Sequence, residues 1–271
     1  MGVDMAKMQD MEELSRRIIV WYSDGVASTV AAKLTLDKYP NAILVYTSTN
    51  SEHPDNVRYR KEVEKWLGKK VLVLKSEKYT DIWDVFERTG WLVGPKGARC
   101  TTELKKKLRQ GFERSSDLQV FGYTVDEKER TLDFIHNNPE INISVPLIDR
   151  GISKSDCLDI VEQAGIQIPM MYRFGFLNNN CIGCVKGGQK YWARIRKHFP
   201  EVFARMSKVE RELDVAVCKS YKRDETDIDG EDSKRKKLFL DELPEDTKIT
   251  EPEQSISCGL FCGQYMEEDD D

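Results

Sequence analysis

IIVWYSDGVASTVAAKLTLDKY (18–39) is the stretch that decides the fold. IIVWYS (18–23) is an apolar and aromatic run of the length of a buried strand, and VASTVAAKLTLDKY (26–39) has the spacing of a helix. The residues between them are small or hydroxylated, so the chain turns sharply from strand to helix. Backbone N–H groups there can approach an anion at the positive end of the helix. Ser23, Gly25, Ser28 and Thr29 are the natural phosphate contacts, although serine and glycine at such a turn also serve as plain helix caps.

Working outward, the same alternation repeats. AILVYT (42–47), KVLVLKS (70–76) and LQVFGYT (118–124) read as further strands. PDNVRYRKEVEKWL (54–67), DIWDVFERT (81–89) and TELKKKLRQGFE (102–113) read as helices. Strands rich in Val, Ile and Leu alternating with helices imply an α/β fold, a parallel sheet with helices on both faces. Ligands of such sheets bind beyond the carboxyl ends of the strands. The reading therefore expects a site in the loops after Tyr22, Thr47, Ser76 and Tyr123; Asn50, Glu52 and His53 are placed to line it, or to form an ordinary capped turn.

The chain has 271 residues, 39% hydrophobic and 33% charged, with net charge −5. That is a globular composition with a wet surface. No run approaches the ~18 apolar residues of a membrane span, and MGVDMAKMQDMEELSRR has no apolar stretch of a signal peptide. A cytoplasmic, non-membrane protein is expected. Seven cysteines in such a setting point to metal binding or thiol chemistry rather than to a disulfide framework. Residues 1–16 read as an N-terminal extension and 17–150 as the nucleotide-binding α/β domain. Residues 151–271 read as a smaller module of helices and cysteines, with a mobile charged arm near 222–254.

CIGC (181–184) and CGLFC (258–262) are two close pairs, and paired thiolates are how a chain offers four soft ligands to zinc or to a [4Fe-4S] cluster. Cys181, Cys184, Cys258 and Cys262 are the expected metal ligands. Cys100 precedes a helix and follows Arg99, two features that favour a thiolate, so it is a candidate for reactivity, with a small buried cysteine at a strand or helix boundary as the equal alternative. Cys157 has core spacing. KGGQKYWARIRKH (186–198) sets Tyr191, Trp192 and Ile195 at core spacing with basic residues between them. The basic residues offer either a solvated face or a grip on a nucleic-acid backbone.

Three of these segments resemble one family. YSDGVAST (22–29) is similar to the Ser-Gly-Gly-x-Asp-Ser loop of the ATP pyrophosphatase (PP-loop) superfamily of adenine nucleotide alpha hydrolases, with Asp24 in place of a glycine and Ala27 in place of the aspartate. ARCTTELKK (98–106) and GYTVDEKER (122–130) resemble segments of its phosphoadenosine phosphosulfate (PAPS) reductase-like members. The resemblance implies an adenine nucleotide, ATP or PAPS, held by Ser23, Asp24, Gly25, Ser28, Thr29, Arg99, Lys105 and Arg130, with Mg²⁺ if ATP is used. It implies a reductase or transferase engaged in sulfur or adenylyl transfer beside a cysteine-bound metal centre, with a nucleic-acid substrate or a sulfur-relay protein as partner and a homo-oligomer left open. SCGLFCG (257–263) is also similar to the family's Glu-Cys-Gly-Leu-His motif, which would make Cys258 a catalytic nucleophile instead of a ligand. The alternative implied by Ala27 is a catalytically altered nucleotide-binding or nucleic-acid-associated module.

Overall fold

A computed structural model of the chain describes residues 16–94, 97–219 and 236–249. Its strands of three residues or more are β1 Ile18–Tyr22, β2 Ile43–Thr47, β3 Val71–Leu74, β4 Leu118–Val120 and β5 Asn142–Ser144. Its main helices are α1 Val26–Lys38, α2 Asn56–Leu67, α3 Ile82–Thr89, α4 Lys128–His136, α5 Lys154–Gln163, α6 Gln189–His198 and α7 Pro200–Leu213.

The five strands form one parallel sheet in the order β3-β2-β1-β4-β5. β1 lies in the middle, with Val20 opposite both Leu44 and Val120, which is why all five of its residues are buried. From β1 the chain winds outward through β2 and β3, then returns to the other side of β1 for β4 and β5. Right-handed crossovers put the helices of two such opposite windings on opposite faces, as the alternation of strands and helices implies. Arg17 ties the start of β1 to the start of β4: its guanidinium donates to both oxygens of Asp117 at 2.7 and 2.6 Å. That pairing holds the buried carboxyl of Asp117 below the usual carboxylate range despite its burial.

Local chemistry explains where the helices stop. α2 and α3 end at Gly68 and Gly90, both left-handed, and α3 begins at Asp81, whose carboxylate accepts from the Asp84 amide at 2.9 Å. α5 opens on a capping box between Ser153 and Asp156. The segment expected as one helix over 102–113 is less regular, because Thr102–Lys106 widens into a π-helical turn.

The chain forms two compact units that interleave in sequence, and their limits differ from a boundary at residue 150. The sheet unit takes the chain up to Ser48, Pro54–Lys75 and Leu108–Pro169, so α5 belongs with the sheet, where it packs against α1. Its core includes Ile19, Leu44, Tyr59, Val63, Leu147, Cys157 and Val161. The helical unit takes Thr49–His53, Ser76–Lys107 and the described residues from Met170 on. Trp83, Phe86, Met171, Tyr191, Trp192 and Ile195 fill its core. None of the described helices is long and apolar enough to cross a membrane.

Candidate functional site

The sheet unit carries the phosphate-loop candidate at the carboxyl end of β1. Since β2 and β4 flank β1 on either side, this is the point where strand order reverses, and a crevice opens there in open α/β sheets. Gly25 is the N-cap of α1 in an extended conformation and provides no side-chain cap, and the first turn of the helix contains no acidic residue. The first amides of a helix have no intrahelical acceptor, and here no side-chain oxygen caps them and no carboxylate lies in the first turn. Hydroxyls brace the turn: Ser28 Oγ accepts from the Ser23 amide at 3.1 Å and donates to the Gly25 carbonyl at 2.9 Å. Thr29 Oγ1 is buried, 2.8 Å from the Tyr59 hydroxyl on α2.

Asp24 is buried, and its backbone is left-handed with φ 56°. Aspartate tolerates that conformation better than most residues. Its carboxylate turns toward α2, where Arg60 grips both oxygens with Nε and Nη2. The Arg60 guanidinium also lies 4.0 Å above the Tyr46 ring, and its pKa is raised by Asp24 against the effect of burial. The negative charge of Asp24 is therefore neutralised locally. Gly122, just past β4, presses on the same loop: a Cβ there would sit 2.7 Å from the Cα and N of Ser28. Arg130 donates to Glu127 at 2.9 Å, and its guanidinium stands 5.5 Å from the Tyr123 ring. Arg60 and the Gly122 contact escape sequence reading, since nothing local marks either.

The helical unit holds the thiol candidates. A small pocket, with room for about one water molecule, is lined by Cys100, Cys181, Cys184, Lys105, Lys186 and Thr49 together with apolar walls. Tyr191 of α6 shapes the Cys181–Cys184 turn from beneath. Its hydroxyl accepts from the amides of Gly183 and Cys184 at 3.0 and 2.8 Å and donates to the Cys181 carbonyl at 2.8 Å. Burial pushes this phenol's pKa up, so it remains a donor. Gly183 is left-handed with φ 85°, a conformation this tight turn requires. Arg99 pairs with the buried carboxylate of Glu103 at 2.9 Å. Lys105 lies in the π-helical turn and lines the pocket.

The chain matches no protein-family model and no curated protein. Among the described residues no group of three or more His, Cys, Asp or Glu is placed to hold a metal ion. Cys181 and Cys184 come together at one pocket, whereas Cys258 and Cys262 lie outside the described residues. The charged arm near 222–254 is described only from 236 to 249. Cys157 and Cys218 are buried, and burial pushes each thiol up to about 12, which leaves them inert. Two of the basic residues of α6 bind the chain itself. Arg196 donates to the carbonyls of Leu243 and Pro244, each at 2.7 Å, and Arg194 to that of Ile249 at 2.6 Å. Tyr191, Trp192 and Ile195 are core, as their spacing implies.

Proposed function

We propose that the chain is a PAPS reductase-like enzyme of the PP-loop superfamily that seats the phosphates of an adenine nucleotide on the 23–29 loop and carries out sulfur or adenylyl transfer. The observation that carries this reading is the N-terminus of α1 at the strand-order reversal, uncapped by any side chain and free of acidic residues in its first turn. Pairing of Asp24 with Arg60 supports it by removing the one carboxylate that would repel a phosphate. One feature favours a catalytically altered module as the second reading: Ala27 gives the first helical turn no carboxylate with which to recruit Mg²⁺.

Titration calorimetry with ATP, adenosine phosphosulfate and PAPS tests the reading. At least one should bind, and Ser23→Asp, a change at an exposed position, should weaken binding about 10-fold or more by placing a negative charge at the loop mouth. Failure of all three to bind, or undiminished binding by Ser23→Asp, would refute it. Binding without turnover of any of the three would select the altered module.

A further inference from the structure

β3 is one edge of the sheet, and the hydrogen bonds around it show which of its backbone groups are already used. The Leu74 carbonyl accepts from the Ser48 amide at 3.0 Å, so Leu74 faces β2. N–H and C=O groups alternate in direction along a strand, so Leu72 faces β2 as well. Val71 faces the other way, and its amide donates to Glu64 Oε1 at 2.9 Å. Val73 shares that outward direction. Among the described residues nothing bonds its amide or its carbonyl, and the Val71 carbonyl and the Lys75 amide complete the open row. A row of this kind is a template for a further strand.

The side chains along the row say what kind of strand fits it. Leu72 is 44% exposed, an apolar side chain in want of a cover. The charges at the two ends have one sign: Lys69 and the exposed Lys70 precede the strand, and the exposed Lys75 follows it. Glu64, which caps the Val71 amide and pairs with Lys70 at 2.7 Å, offsets one of these three charges. A second copy of β3 is a poor occupant. Antiparallel pairing about Val73 brings Lys75 of each copy beside the Lys69–Lys70 end of the other, and like charges across strands are destabilising. Acidic ends on the incoming strand turn the same lysines into attractive contacts. The other edge of the sheet is blunted by proline, with Pro139 and Pro146 on either side of β5, whereas 69–76 contains none.

We propose that the β3 edge docks an extended segment of a partner protein, with β-branched or apolar residues in its middle and Asp or Glu at both ends. The segment extends the sheet through main-chain hydrogen bonds to Val71, Val73 and Lys75, its middle covers Leu72, and its acidic ends meet Lys70 and Lys75. Main-chain bonds supply affinity that any strand could use; the lysines and Leu72 supply the choice of partner. None of this depends on nucleotide binding at the 23–29 loop.

The test is calorimetric titration of the full chain, at low salt, with the synthetic peptide acetyl-Asp-Glu-Val-Thr-Val-Thr-Asp-Glu-amide and with its counterpart carrying lysine at the acidic positions. The acidic peptide should bind, about 10-fold or more tightly than the lysine peptide, and added salt should narrow the difference. N-methylation of alternate peptide residues leaves the protein untouched; it should abolish binding in one register and spare it in the other, because only every second amide faces β3. Val73→Pro removes the open amide while Leu72 and Leu74 keep the ladder to β2, and it should weaken binding about 10-fold with the urea midpoint retained. Lys75→Glu should reduce the preference for the acidic peptide about 3-fold or more. No binding at about 1 mM peptide, equal binding of the two peptides, or binding unmoved by N-methylation in both registers overturns the proposal. So does a dimer in sedimentation equilibrium that Val73→Pro dissociates, because a second copy would then fill the edge.

Discussion

Replacing Gly122 by alanine adds a single methyl group, and the structure says where it goes. The new Cβ would stand 2.7 Å from both Cα and N of Ser28 and 2.9 Å from the carbonyl carbon of Ala27. Carbon atoms in good contact are about 3.5 Å apart or more, so the loop after β4 and the start of α1 must separate by about 0.8 Å. Backbone atoms on both sides leave no flexible side chain to yield. Gly122 does not have a left-handed backbone, so alanine brings no dihedral strain and the effect isolates the collision. Overpacking of this kind costs about 1–3 kcal/mol. Stiffening of the unfolded chain returns about 0.4–1 kcal/mol, and the net effect is destabilisation by about 1–2 kcal/mol. Urea denaturation followed by far-ultraviolet circular dichroism, with amide exchange on residues 26–38, measures it. If the first turn of α1 is what gives way, nucleotide affinity should also fall by about 10-fold for each 1.4 kcal/mol. A Gly122→Ala protein with unchanged midpoint and unchanged exchange at the start of α1 would show that the close approach of these two loops is not a constraint.

Three further outcomes follow from buried polar contacts. Tyr191→Phe leaves the amides of Gly183 and Cys184 and the carbonyl of Cys181 without their acceptor or donor, which should cost about 3–5 kcal/mol and speed amide exchange at both positions; native exchange rates would refute the role given to the phenol. Glu210 on α7 is fully buried and accepts from the amides of Val217 and Leu240, yet burial outweighs these bonds and raises its pKa from 4.5 to about 7. A folded pKa above the unfolded one gives stability that is complete below about 4.5 and is lost as pH rises through about 7. Urea midpoints in Glu210→Gln should be flatter than native over that window, and identical pH dependence would refute the assignment. Asp24→Asn keeps a residue that accepts the left-handed backbone but removes the charge from Arg60, so about 3 kcal/mol of stability should be lost. A loss below about 1 kcal/mol, the range of an exposed pair, would mean that solvent already neutralises Arg60.

The legible part of the fold was the part with local signals. β1, the loop and α1 follow one another as a pure apolar run, a cluster of small residues and a helical pattern, and each expected boundary lies within a residue or two of the observed one. β5 gives no such signal: Asn142–Ser144 is three residues long and half-buried, with two polar side chains, and its strand character comes from pairing with β4. Pairing across distant sequence also decides the units. The run 76–107 looks like a continuation of the strand–helix alternation, but its apolar face, Ile82, Val85 and Phe86, packs with Met171, Tyr191 and Trp192 far along the chain. The two cysteines of CIGC were legible as a pair because their spacing is local. The contact of Cys181 with Thr49, 132 positions away, was not.

Asp24 shows how a departure from a motif should be weighed. Seen in sequence, a carboxylate inside a phosphate loop argues against anion binding, because like charges repel across the few ångströms involved. That inference assumes the side chain follows the direction of the ligand. The backbone at this position is left-handed, which is why a glycine suits it and why aspartate is among the few tolerated replacements. In the structure the carboxylate pairs with Arg60 of α2, 36 residues along the chain. Electrostatically the pair replaces a neutral glycine by a neutral ion pair, so the helix terminus keeps its partial positive charge for a ligand. Ala27 has no such compensation, because a methyl group in the first turn of α1 cannot stand in for a carboxylate. The two departures thus act on different properties. The first bears on the charge at the loop, and the second on whether a carboxylate is there to hold a metal ion.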